Sequence, residues 1–416
     1  MAATEDYWAD VALKRLLAIE DGQTVTRQQV LRLYDEARDD IEREIKVIKY
    51  NFQKRYGIDN ETAEYFLSRA QREDNLNSLV RALEAAPDAA ARESIYRYIR
   101  MDGLSVRAYS ARIERYRAVQ QSIGARMAEV ARRADPLIRS MVTAAYKEAY
   151  YGNLADYARG MNVGLNFALL DDRAIANAIE TPWAGARFSE RVWHDTEKVA
   201  QKAQELVVKS LMSGESGTKT ARKLQDVMMS GKYEATRLIA TETMHARAMG
   251  DMAAYKDLGL EKYRYLATLD YVTCDICGGL DNRVFDMDEA KEGVNYPVMH
   301  PNCRCTTTID AKMPNRRARN PETDKNYIVN GSMTYDEWVK SLTPEQQKAF
   351  EIAQKSRANR IEDKLQWEKY RKALGTKEVP RRFADFQQMK YGEPERWKEL
   401  KVIYRGHLSE QRKKEK

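Results

Sequence analysis

Residues 30–52, VLRLYDEARDDIEREIKVIKYNF, decide the fold class. Their apolar side chains fall at Val30, Tyr34, Ala37, Ile41, Ile45, Ile48 and Phe52. Spacings of three and four put these on one stripe of a helix. Thr26 with Gln29 predicts a capping-box start, and Gly57 a stop. The stripe fits a long helix packed in a bundle, with a free coiled coil as the alternative.

Outward from this helix the pattern stays helical. Shorter helices are expected at Glu61–Arg72 and Asn77–Ala85. A second long one carries Ile113, Tyr116, Val119, Ile123, Met127 and Val130 and should end near Asp135-Pro136, with another from Pro136 towards Tyr151. Residues 1–151 therefore read as a helical arm for shape and contact. Residues 152–195 are mixed, with short pieces around Asn162–Asn166 and Thr181–Trp183. Helices resume at Thr196–Met212 and Lys219–Met229, separated by a turn at Ser213–Thr218 in which Thr218 caps the second. Two close glycines can suggest a phosphate loop, but no strand precedes them and no Gly-Lys-Ser/Thr run follows, so a plain turn is expected. A further helix, Tyr233–Leu258, follows a break at Ser230-Gly231. Strands are expected at Tyr263–Leu269 and Asn282–Phe285. Residues 311–324, AKMPNRRARNPETD, lack an apolar period and read as a linker, and Met333–Lys340 and Pro344–Tyr370 as helices.

The expected architecture is mainly α. It has the long helical arm (1–151), an α+β central domain (152–310) with a small β-rich lobe, a linker (311–332) and a helical, basic C-terminal region (333–416). A chain of 416 residues suggests two or three domains. With 70 basic and 63 acidic residues the formal charge is +7, mildly basic and not histone-like. The stretch from Arg381 to Lys416 holds eleven basic and six acidic residues, +5 of that charge. It is either a solvated helix end or a contact to phosphates or an acidic partner. Trp397 and Tyr404 lie within it, where base stacking and packing look alike. No run of about 18 apolar residues is present, which argues against a membrane span. The opening MAATEDYWADVALKRL has no apolar stretch and does not read as a secretory signal.

All four cysteines lie between Cys274 and Cys305. Scattered cysteines would suggest a disulfide framework; clustered ones in a chain without an export signal read as metal ligands made in a reducing cytosol. Cys274 and Cys277, two residues apart, form a knuckle that can place both sulfurs on one cation. After twenty-two residues His300, Cys303 and Cys305 supply the rest of a tetrahedron. Zinc is the default ion for three cysteines and one histidine. Five candidates compete for four positions. The spare is Cys303 or Cys305; Cys305 is favoured as ligand because the loop from His300 to Cys303 is tight. Four protein ligands would close the site, so a structural role is expected, pinning a lobe too small to hold its own core. Asp275, Asp281 and Asp286 are near, but acids are common in this chain. His194, His245 and His407 are isolated in sequence. His245 shares a helix face with Thr241 and Glu242, a spacing more often structural than catalytic. No catalytic or cofactor-binding residue is assigned, and no enzyme activity is expected.

The ordered motifs Leu238–Thr243, Tyr265–Asp270, Thr273-Cys274 to Cys277, Leu280–Phe285 and His300-Pro301-Asn302-Cys303-Arg304-Cys305 resemble the minor head (head-morphogenesis) proteins of tailed phages similar to Mu F protein. The likeness covers roughly 195–310. Weaker likeness to minor capsid proteins extends over Gly160–Gly164, Leu169–Arg173 and Pro182-Trp183 on one side, and over Asp324–Val329 and Met333–Trp338 on the other. Two positions depart from the family's habit, Ala240 where Arg is frequent and Asn282 where Gly is. The resemblance implies a minor structural protein of the virion, made in the host cytoplasm and placed at the portal vertex of the head. It would bind portal protein during procapsid assembly, meet major capsid or scaffolding protein, and contact phage double-stranded DNA without sequence preference during packaging and ejection. The alternative is a metal-dependent nuclease or effector delivered with the genome. A host DNA-binding regulator finds no helix-turn-helix or paired zinc module to support it.

Overall fold

In the computed structural model, the described residues are 5–54, 78–100, 109–163, 169–183, 185–212, 215–310 and 315–414. The chain is mainly helical with small antiparallel sheets. It divides into two compact units. One is built chiefly from Lys14–Leu260 and Lys291–Cys303, the other chiefly from Glu261–Ala290 and Arg304–Lys416.

The first unit is an α-bundle. Its helices are α1 (Glu5–Lys54), α2 (residues 78–85), α3 (Ala89–Arg100), α4 (Tyr109–Met161), α5 (Asp172–Glu180), α6 (Phe188–Met212) and α7 (Gly217–Asp257). The stripe read from the sequence is its core-facing edge: Val30, Tyr34, Ala37, Ile41 and Ile45 are all buried. Helix α1 runs antiparallel to α4, with Glu36 bonded to Arg133 at 2.7 Å and Glu44 to Ser122. Helices α4 and α7 run parallel, as Thr243 on Met141 and Asp257 on Tyr150 show.

Three expected interruptions are absent, each for a packing reason. Helix α1 passes straight through Thr26, which is buried inside it instead of capping it. Helix α4 continues through Pro136. The ring is on the exposed side while Ala134, Ile138 and Met141 are buried, so apolar packing outweighs the one lost backbone bond. Helix α7 continues through Gly231, where an added Cβ would lie 2.7 Å from the Tyr34 ring and 2.8 Å from Val199. Glycine there makes room for neighbours and does not end the helix. The cap of α7 is Ser216, whose hydroxyl accepts from the Lys219 amide, and not Thr218. Gly57, the expected helix at 61–72, Asn77, and 164–166 lie outside the described residues, as do Ser213 and Gly214.

Gly250 lets α4 and α7 approach closely, since its Cβ would fall 2.5 Å from the Tyr146 carbonyl oxygen. Backbone cannot step aside as a flexible side chain can. Gly250→Ala should therefore cost at least the 1–3 kcal/mol or so of overpacking, read as a lower denaturation midpoint with an unchanged helical spectrum. A loss below about 0.5 kcal/mol would mean the helices part freely.

The second unit holds both sheets. Strand β1 (Lys262–Leu266) is central, pairing antiparallel with β2 (Val284–Asp286) and β3 (Thr306–Ile309). Tyr263 sits opposite Phe285 on one side and Ile309 on the other. Both Tyr263 and Tyr265 are fully buried, which is why an aromatic alternation reads as strand. Between β1 and β2 lies α8 (Asp275–Leu280), and Asn282 after it has φ 62°, so the asparagine takes the left-handed turn that glycine would. Strand β4 (Asn315–Arg319) pairs with β5 (Asn326–Asn330). Thus residues 315–319, expected to be linker, are a strand. Helices α9 (Tyr335–Ser341), α10 (Pro344–Ala358), α11 (Arg360–Glu378), α12 (Phe383–Gly392) and α13 (Pro394–Lys414) follow. The helix expected over Pro344–Tyr370 is thus two, divided at Asn359. Helices α9 and α10 open with complete capping boxes, Thr334 with Glu337 and Thr343 with Gln346. Trp397 and Tyr404 stack against Tyr370 at 5.8 and 4.1 Å, which makes them core aromatics of α11–α13. Asp363 of α11 is wholly buried, bonded by Lys390, Gln387 and Tyr391.

Candidate metal centre

The chain supplies the cysteines through two local structures. Cys274 caps α8, its sulfur facing the Cys277 amide at 3.5 Å, so a helical turn folds the two sulfurs of the knuckle towards each other. Gly278 next to it lies under the Tyr335 ring, where a Cβ would come within 2.6 Å. The other ligands come from a turn in which the Cys303 amide donates to the His300 carbonyl at 3.0 Å, with Asn302 left-handed at φ 62°. The loop through Pro301 is as tight as the sequence suggested.

All five expected residues fall into overlapping groups. Cys274, Cys277 and His300 have ligand atoms within 4.8 Å of one another, and so do Cys277, Cys303 and Cys305. Cys277 belongs to both. Cys277, Cys303 and Cys305 are buried, and none of the four cysteines is in a disulfide. Alternation turns Cys303 and Cys305 the same way and leaves Arg304 to pair with buried Asp270, also bonded by the Thr273 amide at 3.0 Å. Thiolate and imidazole donors at this spacing suit a borderline-soft ion. The groups can hold a metal, and zinc fits their chemistry; the choice between Cys303 and Cys305 stays open.

A buried ion pair stands close by in sequence. Asp281 accepts from the Ala267 amide at 2.7 Å, the Tyr335 amide at 2.8 Å and Arg316 at 2.8 and 3.0 Å. Arg316 also donates to the carbonyls of Met333 and Ala267. One carboxylate and one guanidinium thereby tie β1, α8, β4 and α9 together. Asp281, noted in the sequence only as a nearby acid, is a structural hub.

Sequence reasoning passed over a second constellation, on α7. The Trp183 indole stacks on His245 with centroids 4.3 Å apart, carries the Arg191 guanidinium on its ring, and donates to Glu242 at 2.9 Å. Burial raises the Glu242 carboxyl above its ordinary range, against the pull of Arg191. His245 Nδ1 meets Glu292 at 2.6 Å. An open cleft of about 510 Å3 beside it is lined by Glu190, Arg191, His194, Lys198, Arg237 and Glu242 among others. The signal was present in the i, i+1, i+4 pattern of Thr241, Glu242 and His245, but their partners lie about 50 to 60 residues away.

The described residues thus comprise an α-bundle, a unit with two small antiparallel sheets, and a cysteine–histidine group that could hold a metal ion. Residues 201–308 match the family described as Phage Mu protein F like protein, and in this segment the chain is similar to that family. Over 242 residues the chain is 25% identical to the NAD(+)--arginine ADP-ribosyltransferase EFV of Enterococcus faecalis (strain ATCC 700802 / V583). That alignment takes in 54% of this chain and 49% of the relative, so the chain spans about half the length of the curated protein it matches. No solved structure matches the chain. No helix among the described residues is long and apolar enough to cross a membrane.

Proposed function

We propose that this is a minor structural protein of a tailed-phage head, carried in the virion at the portal vertex. It binds portal protein during procapsid assembly, lies against major capsid or scaffolding protein, and touches double-stranded DNA through basic surface as the genome enters and leaves. The observation that carries this reading is the Mu F-like match over residues 201–308. The geometry supports it with long bundled helices suited to docking and a cysteine–histidine group suited to pinning structure. In this reading zinc is held by Cys274, Cys277, His300 and one of Cys303 and Cys305. It supplies folding energy and leaves no open position for substrate.

The second reading is an effector enzyme delivered with the genome, favoured by the name of the matched enterococcal relative. The two separate on purified protein. A structural protein leaves plasmid DNA intact with magnesium, manganese or zinc, and releases no nicotinamide from NAD+ in the presence of arginine. It binds duplex DNA of unrelated sequences equally, and more weakly as salt rises. Turnover in either assay that disappears with Cys274→Ser or Glu242→Gln would overturn the proposal.

A further inference from the structure

Segment 291–303 carries His300 and Cys303 but contains neither helix nor a laddered strand. Its backbone is closed only by short turns, with Glu292 bridging Tyr296 and Gly293 left-handed at φ 76°. Such a segment does not fix its own position. Three bonds to α7 do. The Thr241 hydroxyl accepts from the Asn302 amide at 2.9 Å, having given its own proton to the Arg237 carbonyl at 2.7 Å. His245 meets Glu292 at 2.6 Å. The Tyr296 hydroxyl donates to the Ala248 carbonyl at 2.6 Å. Residues 241, 245 and 248 recur at helical spacing, so the anchors form one stripe along α7. Thr241, His245 and Tyr296 are buried while Glu292 is exposed, so the Thr241 and Tyr296 bonds are the costlier to lose. The stacked Trp183 ring fixes the plane of His245.

We infer that Thr241 and His245 are positioning residues for the metal centre. They clamp segment 291–303 on α7 so that His300 and Cys303 stand ready before an ion arrives. The inference rests on the metal reading above and deepens it. Groups that orient ligands without touching the ion spare it the entropy of ordering them, and their loss lowers metal affinity about 10- to 100-fold. The same bonds give the Thr-Glu-Thr-Met-His run of α7 a purpose that helix propensity alone does not.

The test uses the full chain loaded with one equivalent of zinc, competed with a chromophoric chelator. Amide exchange over 291–303 and thermal melting are measured alongside. Thr241→Val keeps the shape of the side chain and removes the acceptor; His245→Ala removes the second anchor. Both should release zinc about 10- to 100-fold more readily and lose protection in 291–303, with the melting of α4–α7 nearly unmoved. Thr241→Ser should behave as the parent. Parent-like zinc retention and exchange in both variants would overturn the clamp, as would zinc loss accompanied by general unfolding in Thr241→Val. If the parent takes up no zinc, the metal reading fails separately and exchange alone decides. Loss of protection confined to 291–303 then upholds the anchoring, and unchanged protection overturns it.

Discussion

Replacing Asp281 by alanine should cost about 3–5 kcal/mol, the range for removing one partner of a buried ion pair. The side chain has no solvent exposure, and Arg316 retains only 7%. Alanine leaves the guanidinium without a counter-charge and strands the amides of Ala267 and Tyr335, each of which loses its acceptor. The loss should be local to β1, α8, β4 and α9, because those are the elements the carboxylate joins. Amide exchange in these elements reads it more cleanly than a single unfolding curve, since a chain of two units need not melt in one step. The double replacement Asp281→Leu with Arg316→Met should recover part of the loss, as apolar residues of similar volume often do for such pairs. A single-variant cost below about 1 kcal/mol would show the pair to be solvated after all.

Cys277→Ser should have the second largest effect. Cys277 alone belongs to both groups of potential ligands, so its loss leaves neither group of three intact. The parent chain should carry about one zinc per molecule by elemental analysis, and Cys277→Ser close to none. Chelation of the parent at neutral pH should lower its thermal midpoint, whereas the variant should not respond to chelator. Cys303→Ser and Cys305→Ser are expected to differ: the ligand's variant loses zinc and the spare cysteine's variant keeps it. Full zinc content in Cys277→Ser would remove the shared thiolate from the account.

The parts of the fold that were legible are those where a local rule and the packing agree. The stripe from Val30 to Ile45 is visible because each buried position is apolar. Tyr263 and Tyr265 show as strand because aromatic residues alternate there. Asn282, expected to open a strand, instead makes a left-handed turn at φ 62° and the strand begins at Val284. The misreadings come from residues whose usual meaning is overridden by neighbours. Pro136 and Gly231 normally punctuate helices, yet one faces solvent on a helix held by its opposite side, and the other is the gap into which Tyr34 and Val199 fit. Strand β4 was missed because its inward positions are Arg316 and Ala318, and a buried arginine hides a period of two.

The cysteine–histidine cluster, which could hold a metal, was the most legible grouping, since the spacing of these residues needs no knowledge of tertiary structure. Its supports were not. Glu292, Tyr296 and Asn302 show no motif of their own, and their meaning depends on three positions of a helix some 50 residues earlier. Trp183 is similar. Its indole gains a role only when Arg191, Glu242 and His245 surround it.

The role in the head is tested most directly by co-expressing the chain with its cognate portal, scaffolding and major capsid proteins. The particles are then separated on a gradient and their composition measured by mass spectrometry. The account predicts that the chain sediments with procapsids at a few copies per particle, and that omitting portal protein alone returns it to the top of the gradient. A chain that stays at the top with every partner present, or that joins particles equally well without portal, would contradict the account.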